Sequence, residues 1–390
     1  MKQNENELVN IIRLIRSENI GNITFIKLVE MFGSSTEAIA NLPSLLKSSK
    51  KNIKLYSQKS AETEINNALK QNIHLISYLH EYYPPLLRQL EDYPPLLFVK
   101  GHAHLLKKSS VAIVGSRNSS INGQKQAFNF AKELGEQGFL IVSGMAKGID
   151  SSAHNGALAK GTIAVLGGGV DIIYPAESKK LYEDICQHGA IISEFPVGQK
   201  PIPTNFPKRN RIIAGIARGL LVVEASLNSG SLISANFALE QGKDVFAIPG
   251  FPTDPRAKGT NKLIKEGAIL TENVCDIINN LKNFNLHEDI TIPTFKSQQP
   301  KLQEKELLAP RKFLHNILSV NPIAVDVLVQ ESSFSYGQIT TILLELELNG
   351  KLERLPNNHV ALIAQYEKLE KAKMITNNKD NYEVSNSRIS

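Results

Sequence analysis

Three cations, Lys208, Arg209 and Arg211, surround Asn210 in FPKRNR, which begins at Phe206 and runs on into IIAGIARGLLVVEAS. Clustered cations beside a side-chain amide suit one kind of chemistry, the holding of an anion. Related groups follow other apolar runs. Gly115, Ser116 and Arg117 come after VAIV, and Lys147 comes after FLIVSGMA. Lys179 and Lys180 come after LGGGVDIIYPAES, and Ser229, Gly230 and Ser231 after LLVVEASLN. Glycine lets the backbone approach, hydroxyls and N–H groups donate, and cations neutralise. Together these are the parts of a phosphate site. Surface solvation explains any one of these cations, but explains their shared location poorly.

The same stretches argue against several enzyme classes. GALAKGT, residues 156–162, lacks the lysine a Walker A loop needs and closes a helix instead of opening one. GSRNSS is a poor dinucleotide fingerprint, and no GxSxG nucleophile elbow occurs. His102, His104, His154 and His188 lack zinc-ligand spacing, and His154 is expected to pack on a helix face. Asp150 is either a general base or a cap, and its place before Ser-Ser-Ala at a helix start favours the cap. Glu194 and Glu224 follow strands; they are catalytic, or they orient Arg117 or the basic knot by ion pairing. The expectation is a protein with no catalytic residues, no metal and no cofactor.

These loops need a scaffold that brings them to one edge. From 107 to 282, seven runs rich in Val, Ile, Leu and Ala alternate with helical stretches. They begin near 111, 139, 162, 190, 220, 244 and 268. Continuous apolar strands are buried on both faces, and their spacing leaves room for crossover helices. This predicts a doubly wound, Rossmann-like parallel sheet in the α/β class, with ligands at the carboxyl ends of its strands. Residues 1–62 read as a small helical domain: Leu8, Ile11, Ile12 and Ile15 keep helical spacing, as do Phe25, Leu28, Val29 and Phe32. It resembles helix-hairpin-helix and SAM-like modules. Few cations fall on its hairpin, so packing is favoured over contact with a DNA backbone. Residues 63–106 repeat YPPLL at Tyr83 and Tyr93 and read as an extended clasp along the next domain. Residues 283–305 read as a linker, 306–365 as a winged helix with a hairpin over Pro356–Asn358, and 366–390 as a disordered tail.

Composition is compatible with an anionic partner without demanding one. The 390 residues carry 44 basic and 38 acidic side chains, a formal charge of +6. Two cysteines, Cys186 and Cys275, form no CxxC pattern, which suggests a reducing, cytoplasmic setting. No apolar run is long enough to span a membrane.

GSR, SGMAKGID, LGGGVDIIYP, SEFP, FPKRNRIIAG, VVEASLNSGSLISA, DVFAIPG and GTNKLIKEGA occur in one order. That order resembles the DNA-processing protein A (DprA, or Smf) family over the sheet domain, the clasp and the winged helix. The resemblance implies a protein that binds and protects single-stranded DNA, loads the recombinase RecA onto it in natural transformation, and forms a homodimer through the Rossmann-like domain. It implies DNA contacts at Arg117, around Lys179 and Lys180, at Lys208–Asn210 with Arg211, and at the Ser229–Ser231 loop. Some members carry lysine directly after YP, where this chain has Ala176. The fold is also similar to that of LOG-type phosphoribohydrolases, which makes a nucleotide-processing enzyme the alternative. Their PGGxGTxxE loop is replaced here by NSGSLISANFALE. A transcription factor is disfavoured, because SYGQITTILLELELNG holds Glu345 and Glu347 and no cation before Lys351.

Overall fold

The computed structural model describes residues 2–45, 54–281, 304–355 and 358–364. The expected tail and nearly all of the expected linker lie outside these residues. The chain divides into two compact units, residues 59–293 and residues 1–58 with 294–390.

The N-terminal helices are α1 (Lys2–Ile15), α2 (Asn22–Phe32) and α3 (Ser35–Leu45). Helix α2 stops at Gly33, whose φ of 88° lets its N–H return to the Val29 carbonyl.

The sheet unit follows. Its elements run α4 (Gln58–Lys70), β1 (His74–Ser77), β2 (Leu96–Gly101), β3 (Ser110–Val114), α5 (Ile121–Glu136), β4 (Leu140–Ser143), α6 (Ile149–Ala157) and β5 (Thr162–Val165). Then come α7 (Lys179–His188), β6 (Ala190–Ser193), α8 (Asn205–Ile216), β7 (Gly219–Val222), α9 (Gly230–Glu240), β8 (Asp244–Ala247), α10 (Lys258–Lys265), β9 (Ile269–Leu270) and α11 (Val274–Leu281). The strand order is β1-β2-β6-β5-β4-β3-β7-β8-β9. All seven strands expected from the sequence are present, and from β6 to β9 every neighbouring pair is parallel. Strands β3 to β7 are buried at every position, which is why each reads as a nearly unbroken apolar run. One core lies where Val111, Ile113, Ile141 and Leu221 meet Phe130 and Leu134 of α5 and Ile277 of α11.

The sequence predicts an extended clasp over 63–106. Part of that stretch instead joins the sheet. Helix α4 runs across the expected boundary, and β2 pairs antiparallel with β6, from Phe98 opposite Ser193 to Gly101 opposite Ala190. The two YPPLL units hold each other: the Tyr83 hydroxyl donates to the Pro94 carbonyl at 2.7 Å, and the Tyr83 and Tyr93 rings meet edge to face. The apolar run after the second proline pair has an open sheet edge to add to.

The C-terminal elements are α12 (Glu304–Ile317), β10 (Ile323–Ala324), α13 (Val325–Gln330), α14 (Tyr336–Leu348), β11 (Leu352–Leu355) and β12 (His359–Leu362). Strands β10, β12 and β11 form a small antiparallel sheet. Ser335 and Gln338 close a capping box at the start of α14. Of the expected hairpin turn, Pro356 and Asn357 lie outside the described residues. Leu355 pairs with His359 across it.

Candidate nucleic-acid interface

Strand β3 starts the parallel order and ends up inside it, with β4 on one side and β7 on the other. The loops after β3 and β7 therefore diverge to opposite faces and leave a crevice, the usual ligand position in such sheets. Gly115, Ser116 and Arg117 leave β3 there, and Ser226 to Ser231 leave β7. The Ser116 N–H donates to the Glu224 carbonyl at 2.7 Å. The Glu224 carboxylate accepts from the Ser120 N–H at 2.8 Å and the Ser120 hydroxyl at 2.5 Å, fixing the start of α5. Glu224 thus braces the start of α5, and among the described residues no ion pair joins it to Arg117.

Two adjoining cavities open along this edge. One, of about 460 Å³, is bounded by Arg117, Lys147, Tyr174, Phe206 and Arg209, with Gly144 and Met145 in its wall. The other, of about 360 Å³, is bounded by Ser116, Arg117, Asp150, Arg209, Asn210 and the Ser229–Ser231 loop. Arg117, Phe206 and Arg209 border both. The guanidinium of Arg117 lies 5.5 Å from the centre of the Phe206 ring, and that of Arg209 lies 6.0 Å from it. Tyr174, half exposed, has its ring 5.8 Å from that of Phe206. The result is an aromatic and cationic wall, of the kind on which a nucleobase can stack.

Arg209 is the unusual member. It is 6% exposed, and it donates from Nη2 to the Gly144 carbonyl at 3.0 Å, while its buried Nε has no partner. Burial pulls its pKa down to about 10, with Asp150 opposing and Arg117 adding to the fall, so it is charged at neutral pH. Asp150 is also buried. Its Oδ2 accepts from the Gly144 N–H at 3.1 Å and the Ala146 N–H at 3.4 Å. Burial raises its pKa, and Arg209, the Ala146 and Gly144 N–H groups and Arg117 pull the other way. The cap expected at Asp150 is thus a brace for the β4–α6 loop. In that loop Met145 sits at φ 58°, a strained conformation for a long side chain, held where the loop turns back.

The basic knot does not face one way. Its residues lie in α8, where a two-residue step turns the chain about 200°. Lys208 is exposed, and Asn210 donates to the Gly230 carbonyl at 3.4 Å. Arg211 points away from both cavities. It pairs with Glu194 and with Asp92, the latter at 3.3 Å, and donates to the Asp92 carbonyl at 3.0 Å. Glu194, expected either to be catalytic or to orient Arg117 or the knot by ion pairing, pairs with Arg211 of the knot, which ties α8 to the YPPLL segment. Lys147 is exposed at the cavity edge and pairs with Glu177 at 3.1 Å. Lys179 and Lys180 are exposed at the start of α7, outside the walls of both cavities, and Lys179 lies 3.9 Å from Glu183. At α9, Ser229 caps the helix and its hydroxyl lies 2.7 Å from that of Ser231.

Sequence reasoning missed Gly144. A Cβ there would fall 1.7 Å from Nη1 of Arg209, so the guanidinium needs a residue without a side chain to lie on. The only sequence signal was a glycine directly after a strand.

The family model described as DNA recombination-mediator protein A matches residues 74–282. The chain is 41% identical over 310 residues to Protein Smf of Escherichia coli (strain K12), covering 79% of this chain and 82% of that one. The chain belongs to the DNA recombination-mediator protein A family. In this DprA/Smf chain, a DprA-like N-terminal HHH domain matches residues 5–67 and a DprA winged helix domain matches 298–358, as the helical spacing at both ends predicts. DNA processing protein DprA of Streptococcus pneumoniae is 46% identical over 204 residues, 52% of this chain and 72% of that one. The X-ray structure of DNA processing protein A from Streptococcus pneumoniae matches with a TM-score of 0.53 at 35% identity, covering 66% of this chain and 97% of that one.

Proposed function

We propose that this DprA-family chain binds single-stranded DNA along the strand-end crevice, without catalysis, and delivers it to RecA in transformation or recombination. It does so as a cytoplasmic homodimer. The observation that carries the reading is Arg209, a buried cation with an unpartnered Nε at the junction of two cavities. Asp150 is one carboxylate beside two guanidiniums, Arg209 and Arg117, and the phosphate of a strand passing between Arg117 and the Ser229–Ser231 loop supplies a second counter-charge. Phe206 and Tyr174 would stack on a base next to it. A single strand can turn a base into such a cavity, whereas a duplex keeps its bases paired. Membership of a family described as recombination mediators supports the same reading, as do relatives named for DNA processing. Among the described residues no helix is long and apolar enough to cross a membrane.

Affinity for a single-stranded and a duplex oligonucleotide, each measured over a range of salt, tests it. The single strand should bind more tightly. Arg117→Ala and Lys208→Ala should each weaken binding and flatten the salt slope by about 0.7. Wild-type affinity and slope in both variants would sink the reading. Release of base from a nucleoside monophosphate by the purified chain would favour a phosphoribohydrolase. The RecA step predicts faster RecA assembly on a coated single strand, and the dimer predicts twice the chain mass in light scattering.

A further inference from the structure

The third helix of a winged helix reads a DNA groove when one of its faces is open and carries donors or cations. In α14 one face, Ile339, Ile342 and Leu343, packs into the winged-helix core. The opposite face holds Thr341, Leu344, Glu345 and Leu348, spaced three and four apart as one stripe. It is just as buried, at most 7% exposed. A helix apolar on two opposite sides has a second neighbour.

That neighbour is the N-terminal helical module, within the same compact unit. Helix α2 packs against α14. Thr24, 2% exposed, donates from Oγ1 to Glu347 Oε1 at 2.6 Å across 323 residues of sequence. The Asn19 side chain donates to the Leu348 carbonyl at 3.2 Å. Arg354 Nε holds the other oxygen of Glu347 at 2.9 Å, and Arg311 of α12 holds Glu345 at 2.7 Å. The Glu347 side chain is only 11% exposed, so its oxygens depend on these partners for hydrogen bonds, and one of them comes from the far end of the chain.

We infer that the outer face of α14 is a protein-docking surface and not a groove reader, and that its occupant is the chain's own N-terminal module. The two ends of the chain are then coupled in stability. A duplex approaching this helix would meet a covered stripe and two carboxylates.

Hydrogen exchange in the full chain tests the coupling from both sides. Thr24→Asp sets a carboxylate against Glu347. The amides of Ile339–Leu348 should then exchange at least tenfold faster, with β3, β4 and β5 unchanged. Lys27→Gln, on the same helix but in a partly exposed pair with Glu30, should leave α14 at its wild-type rate. If Thr24→Asp unfolds the whole N-terminal module, the cover is lost and the acceleration is still required. In the other direction, Glu347→Gln should speed exchange across Asn22–Phe32. Wild-type rates in α14 with Thr24→Asp, or in α2 with Glu347→Gln, overturn the inference.

Discussion

Arg209 and Arg211 show how little residue type says about role. One borders both cavities, and the other is a staple between Glu194 and Asp92. Arg211→Met should therefore act on stability. Removing one partner of a sheltered ion pair costs about 3 kcal/mol or more, read as a lower midpoint in denaturant, while the salt slope for single-stranded DNA stays at wild type. Phe206 makes the opposite case. Phe206→Ala should lower affinity by about 1–3 kcal/mol, the worth of one stacked base, and leave the salt slope alone because no charge is lost. His154 should set a pH dependence. It is fully buried in α6, its Nδ1 lies 2.7 Å from the Thr162 hydroxyl, and burial, aided by Arg209, lowers its pKa to about 3. The unfolded chain takes up this proton near pH 6.5, and the folded chain resists it. The contribution is therefore complete above pH 6.5 and is lost as pH falls towards 3, by roughly 5 kcal/mol at most. Unfolding free energy measured across that window should fall steeply in the wild type and less steeply in His154→Gln.

At the scale of elements, the site depends on the turns after β3, β4 and β7 more than on any helix. The β4–α6 turn is the tightest. Asp150 binds two of its N–H groups, Met145 is held at positive φ, and Gly144 lies against the Arg209 guanidinium. Gly144→Ala should displace that guanidinium. Its Cβ would stand 1.7 Å from Nη1, so the buried guanidinium must leave the place where it donates to the Gly144 carbonyl. The expected outcome is a loss of single-strand affinity at least as large as that of Arg117→Ala, with the sheet still folded by circular dichroism. Wild-type binding would mean that Arg209 takes no part in holding the strand.

At the scale of the molecule, the sheet unit carries every candidate contact, and the unit built from the two chain ends carries none. Ending the chain at Pro300 should leave single-strand affinity within about threefold of wild type, since phosphate contacts dominate affinity. It should also leave α2 without its neighbour, so that Asn22–Phe32 loses exchange protection. A large loss of affinity would place the winged helix in the interface after all.

The sequence alone determined the seven parallel strands, the helical modules at both ends and the small, hydroxyl-bearing and basic loops after the strands. These follow from local rules: a strand buried on both faces must be apolar nearly throughout, and a loop that meets an anion needs glycine, hydroxyl or cation. Only the tertiary structure decided that β1 and β2 join the edge of the sheet, because an unbroken apolar stretch does not name its neighbour. Only the tertiary structure separated Arg209 from Arg211, because the direction of a side chain depends on whether its segment coils. In helix α8 two residues reverse that direction. The cover on α14 was decided there too, since Thr24 and Glu347 meet across 323 residues and no local pattern in either segment points to the other.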